Sequence, residues 1–306
     1  MSSADLPPES SRLPETNSDC EDDDIPRLSA DTLALLQDFQ QSQSAQLEAF
    51  QQLQARAAAR FDAVGDDNVD EPAEEEAKDD DDDPLANMEI FTEDWNLSQF
   101  WYTDLTARTI TAFALDPLVK VPLALDTPPT VHANYEQLPD INIAILSAPT
   151  VHQYLTRRVL PLLPRPVRQK IRPVLFEHDT RFAVFGPKQF VHYDFNAPTK
   201  LPEIMKSRFD VVIVDPPFLS AECQVKTAIT VRLLLSSSST PEADQARTKV
   251  VVCTGQKVAD VILRTYRSYG VRCTEFRPEH RNGLQNEFMC FASSEVDGIW
   301  KFEQDG

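Results

Sequence analysis

Glycine is scarce: the 306-residue chain has seven, and none lies between Gly65 and Gly186. The first buried strand expected in the chain therefore cannot lead into the Gly-x-Gly-x-x-Gly turn of dinucleotide-binding folds, which argues against a dehydrogenase. Cysteine is sparse as well. Cys20, Cys223, Cys253, Cys273 and Cys290 are odd in number and include no Cys-x-x-Cys pair. They exclude a disulfide frame and a cysteine zinc site, and read as thiols of a reducing compartment. His132, His152, His178, His192 and His280 share no metal-ligand spacing and read as structural or surface residues. No Ser-His-Asp or P-loop pattern occurs. No apolar run reaches the roughly 18 residues of a membrane span. Met1 to Asp5 is polar and acidic, without the basic-then-apolar order of a signal peptide.

Negative charge is in excess, but unevenly. The net charge is −20, and residues 1–83 hold 24 acidic against 5 basic residues. The remaining chain is close to neutral. It lacks the basic excess that phosphate contacts demand of a duplex-DNA binder, so nucleic acid is an unlikely partner. The length suits one large α/β domain with a tail.

The chain reads in four parts. Residues 1–28, rich in Pro, Ser and acids, form a disordered acidic tail. Residues 29–62 carry Leu33, Leu36, Leu47, Phe50 and Leu53 at helical spacing, with Ser29 as N-cap. Either a helix that docks on the main domain or a partner, or a solvated helix, fits this pattern. Residues 63–84 contain the like-charge run up to Asp83 and form a disordered linker. Residues 85–306 form the compact domain. There, strands Ile141–Ser147, Val174–Phe176, Phe190–Tyr193, Phe209–Val214 and Val250–Cys253 alternate with helices. Val271–Phe276 and Glu287–Ala292 close the series as an antiparallel pair. This order predicts a doubly wound, mostly parallel sheet whose ligands sit beyond the strand ends. Ser147, Glu177, Asp194 and Asp215 all fall there.

The sharpest signal is Asp215-Pro216-Pro217-Phe218 after a buried strand. The pattern is common to enzymes that methylate planar or amine nitrogens. Asp215 can accept a hydrogen bond from an amine. Pro216 has a fixed φ, which holds its carbonyl as a second acceptor. Phe218 offers a ring face to a cation. Glu177, with Asp179 as the alternative, suits ribose hydroxyls, and Asp194 suits an adenine amino group. The segment Arg277 to Asn282 reads as a polar loop over the sheet end, either a surface loop or one that touches substrate.

Several blocks together resemble the eukaryotic elongation factor 1-alpha lysine methyltransferases of the Efm5 type. They are Leu97-Ser98-Gln99-Phe100-Trp101-Tyr102, Ser147-Ala148-Pro149-Thr150-Val151 and Phe176-Glu177-His178-Asp179-Thr180-Arg181-Phe182. Tyr193-Asp194-Phe195-Asn196, Asp215-Pro216-Pro217-Phe218-Leu219-Ser220, Cys253-Thr254-Gly255 and Asn286-Glu287-Phe288 continue the match. The resemblance implies a class I S-adenosylmethionine-dependent methyltransferase fold, Rossmann-like, with a mostly parallel seven-stranded sheet and an antiparallel last strand. It implies a cytoplasmic enzyme that uses S-adenosyl-L-methionine to methylate a lysine of elongation factor 1-alpha. By position, Ser147, Glu177, Asp194 and Asp215 would bind the cofactor. Asp215, Pro216 and Phe218 would be catalytic, with Phe100, Trp101 and Tyr102 against the substrate. The tetrad alone also fits an adenine exocyclic-amine methyltransferase acting on DNA or RNA. The acidic tail suits steering toward a basic partner surface, which loss of salt dependence on deleting residues 1–83 would reveal.

Overall fold

The computed structural model describes residues 30–63, 88, 91–94, 98–236, 248–284 and 286–304. The acidic tail 1–28, the Ser29 cap and nearly all of the linker 63–84 lie outside them, as does most of the Ser-rich stretch after 236. The chain divides into two compact units, 1–45 and 46–306. Helix α1 (Ala30–Ala63) begins in the first, where Leu33 is exposed. In the second unit its later turns bury Leu53 and set Phe50 edge-on to Phe91, with ring centroids 6.0 Å apart. Those turns therefore dock on the main core, while Leu47 stays in solvent.

The second unit continues with α2 (Asp104–Leu115), β1 (Val119–Lys120), β2 (Thr130–Val131), β3 (Ile141–Leu146), α3 (Pro149–Tyr154) and α4 (Arg165–Arg168). It goes on through β4 (Ile171–Glu177), β5 (Phe190–His192), β6 (Val211–Val214), α5 (Ala221–Leu234) and β7 (Lys249–Gly255). It ends with α6 (Ala259–Thr265), β8 (Arg272–Cys273) and β9 (Phe288–Ala292). The Pro-rich segment 116–140 contains the small β1–β2 pair. From Pro149 the chain winds as α at first, then as a π turn over Leu155–Val159 and a 3-10 turn over Leu160–Leu162.

Seven strands make one sheet in the order β5-β4-β3-β6-β7-β9-β8. Pairings from β5 to β7 are parallel, and β9 runs antiparallel to both β7 and β8. The period-two alternation of the strands builds a core on each face. Ile143, Ile145, Val211, Ile213 and Val251 point into one cluster with α2 and α3. Ala144, Leu146, Val212, Val214 and Val252 point into the other, with α5 and α6. Both faces being covered explains the unbroken apolar runs of β3 and β6.

Strand β4 starts at Ile171, three residues before the expected Val174, and so contains Pro173. The proline is tolerated because β5 pairs only with Leu175 to Glu177. Its missing N–H falls where β4 has a neighbour on one side alone. The order of strands and the reversed β9 are those of the class I S-adenosylmethionine-dependent methyltransferase fold. No helix among the described residues is long and apolar enough to cross a membrane.

Candidate active site

A cavity of about 490 Å³ opens at the carboxyl ends of the parallel strands. Ser147, Glu177, Asp194, Asp215, Pro216, Phe218, Phe100, Trp101 and Tyr102 all line it. The sheet brings them together by register. Leu146 sits beside Phe176 and Val214, so the residues that follow β3 and β6 emerge side by side with the last residue of β4.

The turn after β3 resolves the glycine question. Ser147 takes a φ of 54°, in the left-handed region, and its N–H donates to the Phe176 carbonyl at 2.9 Å. That conformation costs a non-glycine residue roughly 1–2 kcal/mol. Serine here adopts the backbone for which glycine is usual, and α3 starts two residues later with Pro149 at its first position. The chain can thus turn closely under a ligand without a glycine.

Glu177 ends β4 and is buried. Its Oε1 accepts from the backbone N–H groups of His178 (2.9 Å) and Asp179 (3.1 Å). Burial nevertheless pushes its pKa up to about 7, against the pull of those hydrogen bonds. Asp179, the alternative for the ribose role, is occupied elsewhere. It caps the following 3-10 turn through Arg181 N–H, pairs with the Arg181 guanidinium at 2.7 Å, and accepts from Gln99 at 3.1 Å. Burial would raise its pKa, but Arg181 and Gln99 hold it below the usual carboxylate value. Asp194 lines the cavity and accepts from the Asn196 N–H at 2.8 Å, which shapes the turn after β5.

Asp215 follows β6, and its N–H donates to the Leu146 carbonyl at 3.0 Å. It is half-buried and lines the cavity. Burial, with the nearby Glu177 charge, pushes its pKa up to about 8, although Tyr102 pulls the other way. The rest of the tetrad is fixed from α5. The Ser220 hydroxyl accepts from Cys223 N–H as N-cap, and Gln224 Nε2 donates to the Phe218 carbonyl at 3.0 Å and to the Thr254 hydroxyl at 3.2 Å. Leu219 rests on Gly255, where an added Cβ would lie 2.8 Å from Leu219 Cδ1. Phe218 stays 40% exposed at the rim, 5.5 Å from the ring of Phe195.

The aromatic block divides its duties. Trp101 reaches the cavity, but its indole N–H donates to the Phe91 carbonyl at 2.7 Å and its ring packs edge-on to Phe182. It belongs mainly to the core. Tyr102 is buried on the cavity floor, and Phe100 stands on the wall.

The polar loop from Arg277 to Asn282 forms a wall. Arg281 N–H donates to the Trp101 carbonyl (2.8 Å) and Thr103 N–H to the Glu279 carbonyl (2.9 Å), which draws His280 into the cavity. Its ring lies 4.7 Å from Tyr102, 4.6 Å from Phe288 and 6.5 Å from Phe100. Burial lowers its pKa to about 4, so it is neutral at pH 7. Glu93 ties the two walls together, accepting from Trp101 N–H (2.8 Å) and from Asn282 Nδ2 (2.9 Å). His280 was not legible as a cavity residue, because the bridge that brings it in is long-range, whereas Tyr193 and Phe195 enter with Asp194 between them.

The sheet order and the strand-end acid-Pro-Pro-Phe together define a class I methyltransferase. The chain belongs to the family whose model is described as probable N6-adenine methyltransferase, which matches residues 93–296. It is 33% identical over 279 residues to protein-lysine N-methyltransferase EFM5 of Saccharomyces cerevisiae, covering 90% of this chain and 94% of that protein. It is 35% identical over 271 residues to protein-lysine N-methyltransferase M142.8 of Caenorhabditis elegans, covering 89% and 95%. It is 32% identical over 277 residues to EEF1A lysine methyltransferase 1 of Homo sapiens, covering 90% and 95%.

Proposed function

We propose that the protein is a cytoplasmic, S-adenosylmethionine-dependent lysine N-methyltransferase whose substrate is translation elongation factor 1-alpha. One observation carries the reading. The four strand-end residues and the aromatic wall share one cavity, in a chain similar over nine-tenths of its length to relatives bearing that name.

The cavity fits the cofactor. Its volume of about 490 Å³ lies within the range of small-molecule sites. Glu177 would take the ribose hydroxyls, Asp194 the adenine amino group, and the Ser147 turn the close approach of the chain. When bound, S-adenosylmethionine supplies an electrophilic methyl on a sulfonium.

The protein's own task is to present an amine with a free lone pair. A lysine ammonium has a reference pKa of about 10.4, so its neutral form costs roughly 4.6 kcal/mol at pH 7. An ordinary exposed aspartate beside it would hold the charged pair by about 9 kcal/mol. With the Asp215 pKa near 8, that gap narrows to about 3 kcal/mol. Asp215 thus both aligns the amine and lies close to it in proton affinity. Pro216 would supply the second acceptor, and the rings of Phe100, Tyr102, Phe218 and neutral His280 would wall the alkyl chain without repelling its charge. Positioning supplies much of the rate.

An adenine-amine reading rests on the shared tetrad and on the family model's description. Transfer of labelled methyl separates the two. Purified elongation factor 1-alpha, duplex DNA and RNA are each incubated with the full chain, with Asp215→Ala as control. Label on a lysine that vanishes in the variant supports the proposal. Label on nucleic acid alone replaces it with the adenine reading, and no label on any of them refutes both.

A further inference from the structure

Two polar groups on the cavity floor are unusual. Tyr102 is 1% exposed, and its hydroxyl makes no hydrogen bond of good geometry to any described protein atom. Next to it on the cavity lining is Asp215, whose carboxyl lies within reach of the Tyr102 hydroxyl and whose backbone N–H is bonded to Leu146. The two are near enough to shift each other's proton affinity. A buried hydroxyl without a partner costs about 1–3 kcal/mol and calls for an explanation.

The phenol ring is held in place, with the Asp215 carboxyl and the Cys253 thiol beside its hydroxyl. Its ring is 4.7 Å from that of His280, which in turn lies 4.6 Å from Phe288. A backbone bridge joins Tyr102 to His280. The hydrogen bonds on either side, from Thr103 N–H and Arg281 N–H, close the ladder. The ring is therefore held on the cavity lining with its hydroxyl beside Asp215.

We infer that Tyr102 is the positioning residue of Asp215: its hydroxyl is held ready to donate to the Asp215 carboxylate once that group is charged, turning the carboxylate toward the substrate amine. The role rests on the lysine-methyltransferase reading only for its last clause. In the free protein burial keeps the proton on Asp215 near neutrality. An ammonium entering the cavity favours the carboxylate. A hydrogen bond to a charged acceptor is shorter and about twice as strong as a neutral one. The hydroxyl would then bind one carboxylate oxygen and leave the other for the amine. The other titratable groups facing Asp215 are Glu177 from β4 and Cys253 from β7, with Cys290 behind it on β9. None of them offers a cation, so the phenol is the donor at hand. Tyr102 itself stays neutral, since burial raises its pKa well above the usual value.

A pH-resolved double-mutant cycle tests this without substrate. Tyr102→Phe, Asp215→Asn and the double variant are unfolded in urea at pH 5 and pH 9, using the full chain. Tyr102→Phe should be nearly neutral at pH 5, where Asp215 is protonated. At pH 9 it should shift the folding equilibrium about fivefold toward unfolding, as a one-unit rise of the Asp215 pKa requires. In the Asp215→Asn background the shift should be absent at both pH values. In methyl transfer, the acid limb of kcat/KM should move upward by about one pH unit in Tyr102→Phe while KM for the cofactor is unchanged. An effect equal at pH 5 and pH 9, or one that persists in the double variant, overturns the inference. If the cycle behaves as expected and no lysine is methylated, the substrate reading fails and this coupling stands.

Discussion

Replacing Asp215 by Asn should stabilise the free protein while abolishing transfer, and the gain should grow with pH. The folded-state pKa is about 8, against a reference of 3.8. Full ionisation in the folded protein therefore costs about 6 kcal/mol more than in the unfolded chain. Between the two values the unfolded state releases its proton and the folded state does not. Rising pH thus favours unfolding across this window and has no further effect above it. The penalty works out at about 2 kcal/mol at pH 5 and about 5 kcal/mol at pH 7.4. The native chain should lose about 3 kcal/mol over that interval that Asp215→Asn does not lose.

Urea unfolding of both proteins at the two pH values, without cofactor, measures the difference. With a slope near 3 kcal/mol/M, the gap in midpoints should widen by about 1 M. Glu177, whose pKa burial also raises, contributes the same trend in both proteins, and only its charge coupling to Asp215 enters the difference. A gap that stays constant or shrinks from pH 5 to 7.4 would refute the claim that this carboxyl is held protonated by burial. The instability is the expected companion of a site built to hold a charge only when its ligand is present.

Other perturbations probe the surrounding structure. His152 is fully buried with both ring nitrogens unpartnered, and burial lowers its pKa to about 3. The unfolded chain takes up the proton first, so the native protein should lose about 3 kcal/mol between pH 7.5 and 4.5 relative to His152→Leu, read by urea unfolding. Gly255→Ala places its Cβ 2.8 Å from Leu219 Cδ1. Because a flexible side-chain end is what must move, stability should fall by only about 1 kcal/mol, while kcat falls several-fold with cofactor affinity kept. Glu93→Ala unties the walls bearing Trp101 and Asn282. It should raise KM for the protein substrate about tenfold in steady-state assays, with Glu93→Gln recovering part of the loss.

Where local pattern decided the structure, the sequence was sufficient. The apolar runs of β3 and β6 were visible because both faces of those strands are buried, and Glu177, Asp194 and Asp215 stood out because they fall at the ends of β4, β5 and β6. The glycine-free turn was harder. Absence of Gly-x-Gly-x-x-Gly suggested a weaker nucleotide site, yet Ser147 reaches the same left-handed conformation at a small energetic cost. Asp179 and Glu177 could not be told apart by spacing. Only the contact with Arg181 and Gln99 shows which acid is already engaged. His280 was invisible for a different reason. Its place depends on an antiparallel bridge to Tyr102 from the far end of the domain, and no local periodicity encodes such a pairing.

The family model's description names adenine and the relatives' names say lysine, and the tetrad serves either nitrogen. The cavity itself weighs between them. A purine needs a flat slot between parallel faces, and a nucleic acid needs a cationic approach for its phosphates. Here Phe195 and Phe218 are inclined at 59°, Phe100 and His280 at 86°, and His280 and Phe288 at 71°. Such rings enclose a chain with edges and faces and do not form a stacking slot. The titratable groups grouped at the floor are the acids Asp215 and Glu177, whose proton affinities are raised by burial with no cation to offset it. An arriving ammonium supplies that missing charge, whereas a neutral adenine amino group would leave it unmet. The same burial that makes the empty site unstable therefore favours a cationic amine as its substrate.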